Sequence, residues 1–346
     1  MGKLNFVHGG DIYSLKKEII DFSSNTNPLP VSYKLKKIVL KEIEKIRIYP
    51  DNLCRDLRKE ISKYWKIKEE NIFIGNGASE IIYLFFSIFK PKNILIPVPT
   101  FSEYERCAKI FGVKTIFSVL DSNFKFRLNR KENFDSIIFC NPNNPTGNFI
   151  ITKEEILKFK DKLILVDESF MDFVEDEKEK TMIYKAIEEK NLVVIRSFGK
   201  FWGLAGLRLG YLISNREIVE KFENNKITWN VNSIGQILAI ELIKNKKFKE
   251  KMLKFIKKEK EYVYNEISKI PGLKIFPSFT NFFLIKIEKN GINVKILKEK
   301  LIEEDILIRD CSNFRGLSNK FFRISVRKHS ENLKLINSLK KILWNN

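Results

Sequence analysis

Short apolar runs punctuate the middle of the chain, and longer stretches of mixed apolar and polar positions separate them. The runs are "NIFIG" (71–75), "NILIPV" (93–98), "SIIFC" (136–140), "LILVD" (163–167), "LVVIRS" (192–197) and "GYLIS" (210–214). Apolar residues fill consecutive positions in them rather than alternate ones. That pattern predicts strands covered on both faces, hence a mostly parallel sheet. Helical patterns lie between several of the runs. One is "TKEEILKFK" (152–160), where Thr152 and Glu155 have the spacing of a capping box. Alternating strands and helices predict an α/β fold.

The texture changes from about residue 234. A long Lys-rich helical stretch leads to "NFFLIKI" (281–287), a helix near 293–304, "ILIRD" (306–310), "FFRISVR" (321–327) and a final helix after Ser330. This predicts a smaller α+β unit, and the first forty or so residues are expected to pack on it. The expected division is an N-terminal arm with part of the small unit (1–40), a large unit (41–235) and a small C-terminal unit (236–346). A chain of 346 residues is long enough for both cores. It has no internal repeat and no low-complexity linker.

Composition narrows the function classes. The net charge of +20 raises a nucleic-acid partner. The Lys residues, however, are interleaved with Glu, as in "KFKEKMLKFIKKEKEYVYNEISK", and such helix faces are simply solvated. No nucleic-acid partner is expected. The four Cys (54, 107, 140, 311) are far apart, and His8 and His329 are the two histidines. Neither a metal site nor a disulfide framework is expected. "MGKLNFVHGG" lacks the apolar core of a signal peptide, and "IIYLFFSIF" (81–89) is too short to span a bilayer. The expectation is a soluble cytoplasmic protein with no membrane partner.

Candidate chemistry sits at the carboxyl ends of the strands, where open α/β sheets bind ligands. After "NIFIG", Gly75 and Gly77 turn the chain, and Ala78 and Ser79 open a helix whose free N–H groups suit a phosphate. After "NILIPV", the segment "PTFSEYE" aims Phe101 at the crevice, where it can stack on a flat ring. After "SIIFC", the rigid loop "NPNNPTG" presents the amide of Asn144, held extended before Pro145. "LILVD" ends in Asp167, a carboxylate that needs a cationic partner there; Glu168 should point the other way. "RSFGKFWGLAGLRLGY" (196–211) then supplies Ser197, Lys200 and Arg208. Lys200 lies among Phe, Gly, Trp, Leu and Ala. Desolvation should lower its pKa, and a neutral amine is a nucleophile. Arg208 suits a bidentate phosphate contact. A phosphate cradle, a stacking aromatic, an amide, a buried acid and a desolvated Lys are together the set that pyridoxal 5′-phosphate requires.

"NPNNPTG", "VDESF" and S-x-x-K-x-x-G-L-A-G-x-R-x-G resemble the signatures of the aspartate-aminotransferase superfamily, fold type I of the pyridoxal-phosphate enzymes. The resemblance covers essentially the whole chain. It implies Lys200 as the Schiff-base lysine, Asp167 as the partner of the ring nitrogen, Asn144 as the partner of the phenolic oxygen and Phe101 as the stacking ring. It assigns the phosphate to Ser197, Arg208 and the Ala78–Ser79 backbone. "RIYPD" (47–51) resembles the segment whose Tyr, here Tyr49, reaches the phosphate of a neighbouring subunit, which implies a homodimer with shared active sites.

Two branches of the superfamily compete, the histidinol-phosphate aminotransferases and the threonine-phosphate decarboxylases. "HGGDIY", "DFSSNTNPL", "GNGASEIIYL", "TWNVNS" and "ILIRDCSNFRGLSNKFFRISVR" resemble the second, as does Phe170 after "DES". That resemblance implies His8, Asn25, Arg309 and Arg323 as ligands of a small phosphorylated amino-acid substrate. The implied reaction is decarboxylation of L-threonine O-3-phosphate, for cobalamin biosynthesis. Four of the thirteen Arg fall at 309, 315, 323 and 327, where a carboxylate or phosphate could be gripped in a fixed plane; Arg315 is expected at the surface. Gly199 departs from the pattern: both branches usually carry Thr or Ser there, so one phosphate hydroxyl is missing.

Overall fold

A computed structural model describes residues 8–15, 17–128 and 132–344. Its strands, in chain order, are β1 (Ile20–Asp21), β2 (Ile72–Gly75), β3 (Asn93–Val98), β4 (Lys114–Val119), β5 (Ser136–Cys140), β6 (Leu163–Asp167), β7 (Leu192–Ser197), β8 (Gly210–Ile213), β9 (Leu273–Ile275), β10 (Phe282–Ile287), β11 (Ile306–Leu307), β12 (Arg309–Asp310) and β13 (Phe321–Ser325). Seven of them form one sheet in the order β2-β8-β7-β6-β5-β3-β4. β8 runs antiparallel to both its neighbours, and every other pairing in this sheet is parallel. The fold is α/β with a mixed, mostly parallel sheet, as the apolar runs predict.

Successive side chains of a strand point to opposite faces, and both faces here are covered. Ile74, Val166 and Val194 enter one core with Trp65 and Leu57. Their chain neighbours Phe73, Leu165 and Val193 enter a second core with Phe85, Phe86 and Phe222. That two-sided burial is why apolar residues fill consecutive positions. β4 breaks the pattern and is absent from the six apolar runs. It is the edge strand opposite β2 and, unlike β2, is only partly covered: Lys114 and Val119 at its ends are exposed. The capping box at Thr152 is formed: Thr152 Oγ1 accepts from Glu155 N at 3.3 Å, and Glu155 Oε2 accepts from Thr152 N at 3.0 Å.

The second unit carries an antiparallel sheet in the order β12-β13-β10-β9, packed against the helices Lys246–Ser268 and His329–Trp344. "ILIRD" is two strands rather than one: β11 pairs with β1, and β12 pairs with β13. The N-terminal segment joins this unit. Ile20 pairs with Ile306 and Asp21 with Leu307, and Ser325 N donates to Phe22 O at 2.9 Å. The helix Ser233–Lys244 lies against Arg55–Trp65 and Tyr33–Glu42. Among the described residues, no helix is long and apolar enough to cross a membrane.

Candidate active site

A cleft of about 330 Å³ opens between the carboxyl ends of the large sheet and the second unit. The large unit contributes Ala78, Ser79, Phe101, Asn144, Asp167, Ser197, Lys200 and Arg208 to its wall. The N-terminal segment and the second unit contribute His8, Asn25, Arg309 and Arg323. Residues spread from 8 to 323 therefore meet in one place. Tyr49 lies outside this cleft. It is 75% exposed and stacks on Trp229 with ring centroids 4.2 Å apart.

Asp167 ends β6 and is buried. Its Oδ1 accepts from Ser169 N at 2.9 Å, and its Oδ2 accepts from the Tyr104 hydroxyl at 2.7 Å. Glu168 turns to the opposite side, where it meets Thr181, Met182 N and Arg196. Lys200 follows β7, with its Nζ 5.9 Å from the Phe170 ring centroid. Burial, aided by the nearby Arg323 and Arg208 charges and opposed by Asp167, brings its pKa down to about 8. At pH 7 about a tenth of such an amine is unprotonated and nucleophilic, far more than for an ordinary lysine.

The phosphate end depends on two glycines. A Cβ on Gly77 (φ +82) would lie 2.8 Å from Arg208 Nη2, and one on Gly210 would lie 2.8 Å from Ala78 N. Their absence lets the guanidinium and the strand end close on the start of the helix Ala78–Phe89. That helix has no side-chain N-cap, so its first N–H groups face the cleft without an intrahelical partner. Arg208 itself holds left-handed backbone, at φ 51. Ser197 Oγ accepts from Gly199 N at 3.1 Å, which leaves its own proton to donate.

Across the cleft, Arg323 Nη2 donates to Ser23 O at 2.7 Å and its Nη1 donates to Asn144 Oδ1. Its Nε is buried with no partner, and burial brings this guanidinium down to about 10. Arg309, also lowered by burial, donates to Asn313 Oδ1 at 2.8 Å and to Asp310 O. His8 Nε2 lies 2.7 Å from Glu103 Oε1, with its ring tilted over Phe101. Asn25 Oδ1 is buried with no partner. Arg315 pairs with Glu105 at the surface, and Arg327 binds Asp21 O and Glu331, so both are outside the cleft wall.

These residues fit pyridoxal 5′-phosphate. Its aldehyde would meet the amine of Lys200, its ring nitrogen the Asp167 carboxylate, and its phosphate Arg208, Ser197 and the helix start. The unpartnered Asn25 Oδ1 and Arg323 Nε mark polar capacity that the fold itself does not use. Two residues of this wall's support are not among the expected ones: Tyr104, behind Asp167, and Glu103, behind His8. Both lie in the segment "PTFSEYE", but in sequence they read as ordinary positions of an amphipathic helix.

Comparisons with known proteins agree with this geometry. The model of the family described as aminotransferase class I and II matches residues 17–339. A protein of Caldanaerobacter subterraneus subsp. tengcongensis named "Putative threonine-phosphate decarboxylase" is 38% identical, over 97% of this chain and 93% of its own length. The crystal structure of the histidinol-phosphate aminotransferase from Clostridium acetobutylicum superimposes with a TM-score of 0.87 at 35% identity, covering 94% of this chain and 99% of that one. The L-threonine-O-3-phosphate decarboxylase from Porphyromonas gingivalis gives a TM-score of 0.83 at 28% identity, covering 93% and 99%.

Proposed function

The chain belongs to the class I and II aminotransferase family, with pyridoxal 5′-phosphate as its cofactor, and on that premise we propose that it decarboxylates L-threonine O-3-phosphate. The product is (R)-1-amino-2-propanol O-2-phosphate, a precursor of the nucleotide loop of cobalamin. The observation that carries this reading is the pair of buried guanidiniums, Arg309 and Arg323, on the substrate side of the cleft. They are separate from Arg208 at the cofactor-phosphate end. A substrate with both a carboxylate and a phosphate uses both. His8 and Asn25 complete that wall.

When bound, the cofactor accepts the electron pair of whichever α-carbon bond breaks. The bond that breaks is the one held perpendicular to the ring, so the residues that orient the substrate choose the reaction. Arg323 and Arg309 orient the substrate so that its carboxylate, not its hydrogen, stands perpendicular. Asp167 would keep the ring nitrogen protonated. Lys200, with a pKa of about 8, is matched to proton transfer near neutral pH. Phe170, buried beside Lys200, offers no hydroxyl to the ring oxygen.

The active assembly in this reading is a homodimer with shared sites. Tyr33, Leu40, Ile46, Ile48, Tyr49 and Trp229 are exposed apolar side chains on the chain taken singly, a face that a second copy would cover. Tyr49 would then reach the partner's phosphate.

A second reading, transamination of histidinol phosphate, is favoured by the close superposition on the Clostridium enzyme. Two assays separate them. Purified holoenzyme with threonine phosphate should release carbon dioxide and form no glutamate. Glutamate formation from histidinol phosphate and 2-oxoglutarate, without carbon dioxide from threonine phosphate, would reverse the assignment.

A further inference from the structure

Asp167 is held from both ends. One oxygen accepts Ser169 N–H, a bond inside its own turn. The other accepts the hydroxyl of Tyr104, sixty-three positions earlier, at 2.7 Å. Tyr104 is fully buried, in the first turn of the helix Glu103–Ile110. Its ring meets Phe101 edge-on, at 85° and 5.7 Å. A single turn of chain therefore carries the ring that faces the cleft and the hydroxyl that grips the acid behind it.

The direction of this hydrogen bond is set by chemistry. An ionised carboxylate only accepts, so Tyr104 donates. Burial, with Asp167 and Cys140 beside it, pushes the phenol well above its ordinary range, so the donor keeps its proton. Cys140, opposite Asp167 on β5, is likewise raised by burial and stays neutral. Glu103, next to Tyr104 in the chain, is engaged by His8 and Arg106.

We propose that Tyr104 is a positioning residue for the cofactor's ring nitrogen: its hydroxyl aims Asp167 and weakens that carboxylate as a base, so that the shared proton stays on the ring. The inference rests on the cofactor reading and is indifferent to which of the two reactions follows. A proton between a pyridine nitrogen and a carboxylate is partitioned by their relative basicities. A hydrogen bond donated to the carboxylate stabilises its charged form and lowers its pull. Without that donor, Asp167 takes more of the proton, the ring carries less positive charge and its capacity as an electron sink falls.

The test is Tyr104→Phe, which keeps the ring and its packing on Phe101 and removes the hydroxyl alone. Holoenzyme reconstituted with pyridoxal 5′-phosphate is titrated by its visible absorbance. A less charged ring lets the Lys200 nitrogen hold its proton to higher pH, so the midpoint should rise, by about one pH unit for one charge-assisted hydrogen bond. The value of kcat should fall on the order of tenfold, with KM nearly unchanged. In an Asp167→Asn background, where no carboxylate competes for the proton, adding Tyr104→Phe should move the midpoint no further. An unchanged midpoint in Tyr104→Phe, or an equal shift in the Asp167→Asn background, overturns the proposal. So does a Tyr104→Phe protein that fails to fold, because the hydroxyl would then serve the fold. A wild type with no visible cofactor band that depends on Lys200 would instead remove the premise.

Discussion

Asp167 and Glu168 are neighbours in the chain and opposites in surroundings. Glu168 points into a closed cluster. It accepts from Thr181 and from Met182 N, and it pairs with Arg196 at 3.2 Å. Arg196, 0% exposed, also reaches Asp172 at 3.0 Å and Glu177 at 2.8 Å, and Lys249 closes on Glu177. Asp167 lines the cleft together with Lys200. Burying either carboxylate is costly. In the closed cluster, partners from the chain offset the cost in part: burial still raises Glu168 and Asp172, and Arg196 Nε has no partner. In the cleft the cost falls on the cations: Lys200 and Arg323 are driven down by burial, and Arg323 Nε and Asn25 Oδ1 lack partners. The closed cluster sets Arg196 against three carboxylates, whereas the cleft wall sets Lys200, Arg208, Arg309 and Arg323 against Asp167, an excess of positive charge that suits an anionic ligand.

The largest effect comes from removing the amine. Lys200→Met should abolish turnover and the borohydride-reducible link between chain and cofactor, checked by mass spectrometry after reduction, with far-UV circular dichroism unchanged. The same change should stabilise the cofactor-free protein. The folded-state value of about 8 lies below the ordinary 10.5, so below pH 8 the folded chain carries the full cost of a buried charged amine. That cost fades as pH rises from 8 to 10.5. Cofactor-free Lys200→Met should therefore exceed the wild type by about 3 kcal/mol at pH 7, with the gap closing toward pH 10.5. Urea denaturation across that range decides it; a gap that widens with pH would contradict the account.

Breaking the closed cluster should do the reverse. Arg196→Met leaves Glu168, Asp172 and Glu177 buried with one cation fewer and should cost about 3–5 kcal/mol of stability. The visible band of any holoenzyme that folds should be unchanged. A shifted band with normal stability would invert the comparison. The smallest effect is a gain. A Cβ on Gly199 would meet Ala205 Cα and Ser197 Oγ at 3.4 Å, ordinary contacts. Gly199→Ser should add a phosphate donor and tighten cofactor binding by about 1 kcal/mol, read by equilibrium dialysis.

Much of the large sheet was legible because two-sided burial writes itself as unbroken apolar runs: β3, β5, β6 and β7 coincide with theirs. β4 was not, because its side chains are mostly only partly buried and Lys114, Thr115 and Ser118 interrupt the apolar pattern. The reversed direction of β8 was also hidden, since strand polarity leaves no mark in composition. Among site residues, Lys200 and Asp167 stood out because their charges clash with an apolar context. Tyr104 did not, because a buried Tyr on an amphipathic helix differs from a core Phe by one hydroxyl. Tyr49, expected at the site through a resemblance alone, faces outward in the single chain.

The pairing of β1 with β11 has a consequence for how the protein is made. Asn25 and Ser23 reach the cleft because residues 20–22 are anchored on strands formed by residues 306–325. During synthesis the first strand leaves the ribosome almost three hundred residues before its partner exists. Closing so long a loop comes late in folding. A nascent chain can therefore shape the cofactor end of the cleft well before the substrate end, and competence to turn over substrate arrives only when the last hundred residues are in place.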